Sequence, residues 1–307
     1  MSKYWIKREQ AHIRKMIKND AKIARKLKSN YLKAMDDIQG QIDAFYGRYA
    51  SKEGITMEEA RRRVAKADIN KYRSKAKRYV NNKTFTKRAN EEMRLYNVTM
   101  RTNRLELLKS NVHLELLAMT SEEQRILLEE MFKSARNEFE RQSGILGQSL
   151  RYNERDIASI VNSSFLNATW SDRLWGNQNA LRAELDKLLN RGIIQGLNPR
   201  ELARELRKTF DSGVYNSERL LRTEMARVQG DVQADSYIQA GVDSYEFIAS
   251  IDEKTSEICL DTDGKIFKLT DRVVGVNFPP LHPNCRSSTS PVVDRESWDK
   301  GLKSRGM

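Results

Sequence analysis

Apolar residues recur every three or four positions from Ile13 to Tyr49: Ile13, Ile17, Ala24, Leu27, Tyr31, Met35, Ile38, Ile42, Phe45 and Tyr49. The stripe breaks once, at Asp20, and Lys and Arg fill the other faces as far as Lys33. It predicts one long helix whose apolar side needs a partner helix to cover it.

Further helices follow by the same spacing. Thr56-Met-Glu-Glu59 has the form of a capping box and opens a basic helix with Tyr72 and Tyr79 interleaved. A helix is expected from Thr86 to Ala118, and Thr120-Ser-Glu-Glu123 reads as the start of another. Gly144 and Gly147 mark a joint. Helices resume near Glu154 and after Ser171. Asn198-Pro199 is a start signal, and Ser217-Glu-Arg219 reads as the start of a last helix running through Val228 and Tyr237 to Gly241. All five prolines lie at 199 or later, which suits uninterrupted helices before that point.

The texture then changes. Tyr245 to Ser250 is strand-like, and Asp263-Gly264 is a turn before a short strand at Lys265 to Phe267. Phe278 to Arg286 is a proline-stiffened loop, and Ser288 to Val293 suits a closing strand. The expected fold is mainly α, with extended helical N-terminal and middle regions and a small α+β module at the C-terminus. The expected divisions are 1–145, a basic long-helix region; 146–216, a helical body; and 217–307, the α+β module.

Charge sharpens this picture. Residues 1–110 hold 29 Lys and Arg against 12 Asp and Glu, a net +17, whereas 111–307 hold 26 against 30, a net −4. A basic third on an otherwise neutral chain points to a polyanion, with DNA first and a membrane surface second; a solvated basic face is the plainer explanation. The candidate phosphate contacts are Lys15, Lys18, Lys22, Arg25, Lys26, Arg61, Arg62, Arg63, Lys71, Arg73, Lys75, Lys77 and Arg78. Tyr4, Trp5, Tyr72 and Tyr79 are expected to pack more than to stack on bases. No segment has the 18 or so apolar residues of a membrane span, and the first residues lack the apolar run of a secretory signal. Two cysteines do not make a disulfide scaffold, so synthesis in a cytoplasm is expected.

The candidate chemistry sits near the C-terminus. His282-Pro-Asn-Cys285 offers ligands at i and i+3, and Cys259 lies upstream on an expected turn. With Asp252 these make four donors of the kinds that hold zinc in a tetrahedron. The signature is incomplete: Ser256 stands where a Cys-x-x-Cys pair with Cys259 needs a cysteine, and Ser287 where a Cys-x-Cys pair with Cys285 does. The alternative is that both cysteines are small buried residues and His282 serves its own loop.

Taken in order, Arg222-Thr-Glu224, a helix ending at Gly241, Asp252, Thr255 and Cys259, then Asp263-Gly264-Lys265 and Pro279-Pro280-Leu-His-Pro-Asn-Cys-Arg286 resemble the Mu-F-like head-morphogenesis family of tailed phages. The clear likeness covers about 75 residues, with Arg222, Glu224, Asp263, Gly264, Pro280 and Arg286 as its motif residues. It implies a minor capsid protein in the virion interior, associated with the phage portal protein, in contact with double-stranded DNA and active in head assembly or DNA ejection. Members often carry cysteine at the places of Ser256 and Ser287. One of Arg222 and Glu224 is expected to brace the Cys285-Arg286 loop by a buried ion pair.

Three functions are therefore compared. The first is a structural virion protein with no enzymatic activity and no required cofactor, zinc being an optional one. The second is a metal-dependent hydrolase or nuclease built on Asp252, Asp263, His282 and Cys259. The chain has three histidines and shows no Gly-rich phosphate loop, no H-E-x-x-H and no nucleophile elbow, which argues against it. The third is an adaptor whose apolar stripe docks on a portal or on another copy.

Overall fold

The computed structural model describes residues 2–46, 66–81, 86–90, 104–147, 149–194, 199–253 and 255–292. Its helices are α1 (Ser2–Phe45), α2 (Lys66–Asn81), α3 (Arg104–Leu146), α4 (Glu154–Asn162), α5 (Trp170–Ile194), α6 (Pro199–Ala240) and the short α7 (Glu257–Thr262). Three short strands, β1 (Ser244–Ile248), β2 (Ile266–Lys268) and β3 (Ser288–Val292), form one antiparallel sheet in the order β2-β1-β3. The fold is thus mainly α with a small α+β C-terminal module. The expected capping box at Thr56, together with Arg61, Arg62, Arg63 and Tyr49, lies outside the described residues.

The chain forms two compact units. One comprises Met1–Ile23, Leu127–Trp170 and Arg219–Met307; the other comprises Ala24–Ile126 and Ser171–Glu218.

The second unit is a helical bundle. Tyr31, Met35, Ile38, Ile42 and Phe45 of α1 meet Leu108, Val112, Leu116 and Met119 of α3, Leu181, Leu185 and Leu188 of α5, and Leu202, Leu206 and Phe210 of α6. Each set steps by three or four residues, so each helix offers one stripe to a shared core. At about 25 cal/mol per Å² of apolar surface, each such side chain contributes roughly 1.5–3 kcal/mol, an upper bound because unfolded chains are not fully extended. Gly213 marks a close approach within this bundle: a Cβ there would stand 2.8 Å from Cε1 of Tyr31. On α2, Tyr72 and Ala76 pack with Leu114, Leu117 and Trp175.

In the first unit, α1, α3, α6 and β3 are joined by buried polar groups. Arg141 donates to Glu9 at 2.6 Å and to Glu138 at 2.7 Å. Gln233 donates to Glu138 at 2.9 Å and accepts from Thr289 Oγ1 at 2.8 Å, while Ser288 Oγ donates to Glu9 at 2.6 Å. A charge network this dry holds only when its members satisfy one another. Asp20, the break in the apolar stripe, is buried as well, at 6 % exposure.

Two expected helix starts are absent. α3 runs unbroken through Thr120-Ser-Glu-Glu123, and α6 runs unbroken through Ser217. The capping-type residues have other partners: Ser121 Oγ accepts from the Thr86 amide at 3.2 Å, and Ser217 donates to Glu123. Two other boundaries fall as the pattern predicts. α3 ends before Gly147, which has φ +65°, and α4 carries a capping box formed by Asn153 and Asp156.

Candidate metal centre

β1 is the middle strand, paired with β2 from Ser244↔Lys268 to Glu246↔Ile266 and with β3 from Ser244↔Val292 to Ile248↔Ser288. After β1 the chain makes a polar turn. The Asp252 amide donates to Thr255 Oγ1 at 2.7 Å, and that hydroxyl donates to the Ser250 carbonyl at 2.6 Å. α7 begins next, so Cys259 stands on a short helix and not on the expected turn. Ser256 is the N-cap of α7, where a serine usually caps the helix. Here the hydroxyl makes no capping bond; it lies 2.7 Å from Nε2 of His282.

Asp263 and Gly264 dock the end of α7 onto β1. The Ala249 amide donates to Asp263 Oδ1 at 2.7 Å, and the Gly264 amide donates to the Phe247 carbonyl at 2.9 Å. Gly264 has φ +73°, a conformation that costs glycine little and other residues more.

The loop from Phe278 to Arg286 supplies the other two donors. Pro279 and Pro280 are buried, and the peptide between them is cis. At Gly230 on α6 the fit is tight: a Cβ would lie 2.8 Å from the Pro279 carbonyl oxygen. The Cys285 amide donates to the His282 carbonyl at 3.1 Å, closing a turn that brings the i and i+3 side chains to one side. Asn284 takes φ +66°, and its amide donates to Thr223 Oγ1 at 3.0 Å.

These elements bring Cys259, His282 and Cys285 together. Cys259 Sγ lies 3.3 Å from His282 Nε2 and 3.7 Å from Cys285 Sγ, and the three ligand atoms all lie within 4.8 Å of one another. Both cysteines are buried and His282 is half-buried. His282 Nδ1 sits 2.8 Å from the Pro283 carbonyl, to which it can only donate, so Nε2 is the ring nitrogen that faces Ser256 and Cys259. Hydrogen bonds from Cys259 and from the backbone of Ser287 and Leu281 pull Cys285 down to about 6, against the effect of burial. The same contact with Cys285, with burial, pushes Cys259 well above the ordinary thiol range. Asp252 does not join the cluster; its carboxylate lies 3.3 Å from the Thr255 hydroxyl of its own turn.

The motif residues Arg222 and Arg286 meet elsewhere. With Asp20, Gln229 and Ser288 they line a small cleft bounded by Met16, Ile17 and Met225. Burial raises the Asp20 carboxyl to about 7, although the guanidiniums of Arg286 and Arg222 oppose the shift. The Asn284 amide ties the 282–286 loop to α6 by donating to Thr223, the residue between the two expected braces. Glu224 is turned to Arg227, whose Nε donates to it at 2.6 Å with both side chains 2 % exposed. Arg227 also donates to the carbonyls of Ile160 and Val161 at 2.7 and 2.8 Å, satisfying the end of α4. Sequence reasoning missed Arg227, Glu9 and Asp20. The signal for the last two was an acid inside a basic stretch at an apolar register.

Residues 183–290 match the family of Phage Mu protein F like proteins. The segment is Mu-F-like. The matched segment spans every donor of the cluster. No curated protein and no solved structure matches the chain. No helix among the described residues is long and apolar enough to cross a membrane. Outside the Mu-F-like segment, Lys15, Lys18, Lys22, Arg25 and Lys26 are exposed on α1, and Lys71, Arg73, Lys77 and Arg78 on α2. Lys75 is turned inward to Glu115, which also accepts from Tyr79 at 3.0 Å.

Proposed function

We propose that the chain is a minor head protein of a tailed phage, carried inside the virion beside the portal, that grips double-stranded DNA without reading its sequence. Its work would fall in head assembly or DNA exit. The observation that carries the DNA part is the charge sorting on α1. Residues 1–35 contain eleven Lys and Arg and two acids, Glu9 and Asp20. Both acids are buried, so the exposed side of this stretch is cationic throughout, with Arg14, Lys15, Lys18, Lys22, Lys28 and Lys33 in the solvent. From 14 to 33 a helix advances about 29 Å, close to one turn of duplex. Phosphates come every ~1.7 Å along the duplex axis, so such a face finds partners in any sequence.

The C-terminal cluster is read as structural and not catalytic. Two thiols and an imidazole are donor types common in structural zinc sites. The carboxylates a hydrolase would use are engaged in the fold, Asp263 with the Ala249 amide and Asp252 in its own turn.

Binding of the full chain to two unrelated duplexes across a salt series tests the DNA reading. Equal affinity for both and a steep salt dependence are expected. Replacing Lys15, Lys18 and Lys22 with Gln should lower the slope of log K against log salt by roughly 2–3, at ~0.9 per phosphate contact. Sequence discrimination, or a slope unmoved by the triple change, would sink it. Retention of the chain by purified portal tests the portal part.

A further inference from the structure

The Cys259, His282 and Cys285 cluster is a built donor set. In a tetrahedral zinc site with Zn–S near 2.3 Å and Zn–N near 2.0–2.1 Å, adjacent ligand atoms stand about 3.4–3.8 Å apart. The 3.7 Å between the sulfurs falls on such an edge, and the 3.3 Å from sulfur to Nε2 is slightly shorter than one. A disulfide would instead require about 2.05 Å.

We infer that Cys259, His282 and Cys285 bind one zinc ion, with Ser256 at the fourth vertex. The inference is independent of the head-protein reading, because it rests on this geometry alone.

Three observations support it. The Nδ1 bond to the Pro283 carbonyl selects the tautomer whose Nε2 is a ligand, the usual outer-shell arrangement for zinc-bound histidine. Ser256 leaves its helix uncapped and instead hydrogen-bonds Nε2 at 2.7 Å, a contact that a zinc ion on Nε2 would replace, with the hydroxyl then in reach of the fourth vertex. The local core is small as well: Phe247, Ala249, Cys259, Leu281 and Cys285, with Phe267 against them. A metal joining α7 to a loop 26 residues away would supply the cohesion so few side chains cannot.

The fourth vertex gives the site its character. A serine hydroxyl is a weaker zinc ligand than a thiolate, so the ion keeps one exchangeable position. The site is then neither a closed four-cysteine knot nor an acidic catalytic centre.

The test is metal content and Co²⁺ spectroscopy on the full chain. About one zinc per chain is expected after purification without chelator, with two thiols that react with a thiol reagent only after chelation. Co²⁺ should give tetrahedral d–d bands and sulfur charge-transfer absorption. Ser256→Cys should add a third thiolate, strengthening that absorption and tightening zinc. Cys259→Ser or Cys285→Ser should weaken zinc by more than the roughly 10–100-fold typical of outer-shell changes. Should those variants not fold, stoichiometry and the Ser256→Cys spectrum still decide. Thiols equally reactive with and without chelator, a Cys259–Cys285 disulfide in reduced preparations, or zinc indifferent to the cysteines overturns the site. A Co²⁺ spectrum unchanged by Ser256→Cys overturns the fourth vertex.

Discussion

Ser217 on α6 donates a hydrogen bond to Glu123 on α3, and Tyr31 on α1 donates to the other carboxylate oxygen at 2.8 Å. Both Ser217 and Glu123 belong to strings that look like helix starts. They are buried mid-helix instead and hold three helices of one bundle together.

That arrangement makes stability depend on pH. Burial raises Glu123 from 4.5 to about 7, more than the bonds from Ser217 and Tyr31 lower it. The folded protein therefore keeps a proton that the unfolded chain releases near 4.5. The stabilisation is fully present below that value and is lost as pH rises through about 7. Glu123→Gln stays neutral throughout, and the hydroxyls of Ser217 and Tyr31 can rotate to suit it. The variant should match the parent near pH 4.5 and exceed it by about 3 kcal/mol at pH 8. Denaturant titrations at both pH values measure the difference; parallel profiles would refute it.

The helices were readable because their apolar stripes are regular, and the strands because Pro and Gly punctuate them. What stayed hidden were polar residues whose partners are remote in sequence. Local spacing cannot distinguish a serine that caps a helix from one that reaches across a bundle, as Ser121 and Ser217 do. Nor can it show that Glu224 serves Arg227 and that Arg227 serves the end of α4, some 65 residues upstream. The cluster of Cys259, His282 and Cys285 was half legible. His282 and Cys285 announce themselves by i, i+3 spacing, but the separation of Asp252 from them depends on a turn that closes on itself through Thr255.

Thr223 offers a direct probe of how the His282–Cys285 loop is held. Its hydroxyl accepts the Asn284 amide at 3.0 Å and donates to the Arg219 carbonyl at 2.7 Å. Thr223→Val keeps the shape and removes the acceptor, leaving the amide of a half-buried residue unpaired. A loss of about 1–3 kcal/mol in denaturant unfolding is expected. A change within a few tenths of a kcal/mol would show that solvent satisfies the amide and that the tether is dispensable.

Gly230 and Gly176 test the packing of that loop against α6 by opposite signs. Alanine normally stabilises a helix interior by roughly 0.5–1 kcal/mol over glycine. At Gly176 on α5 nothing lies within 4 Å of an added Cβ, so Gly176→Ala should show this gain. At Gly230 the same Cβ would stand 2.8 Å from the Pro279 carbonyl oxygen and 3.2 Å from Cε1 of Phe278. The nearer obstacle is backbone, in a loop fixed by two buried prolines, and cannot step aside as a flexible side chain would. Overpacking of this kind costs typically ~1–3 kcal/mol, enough to reverse the helical gain. Thermal unfolding of the two variants should therefore move in opposite directions. A Gly230→Ala protein as stable as Gly176→Ala would mean that the 279–280 backbone yields, and that the loop is not seated on α6 as described.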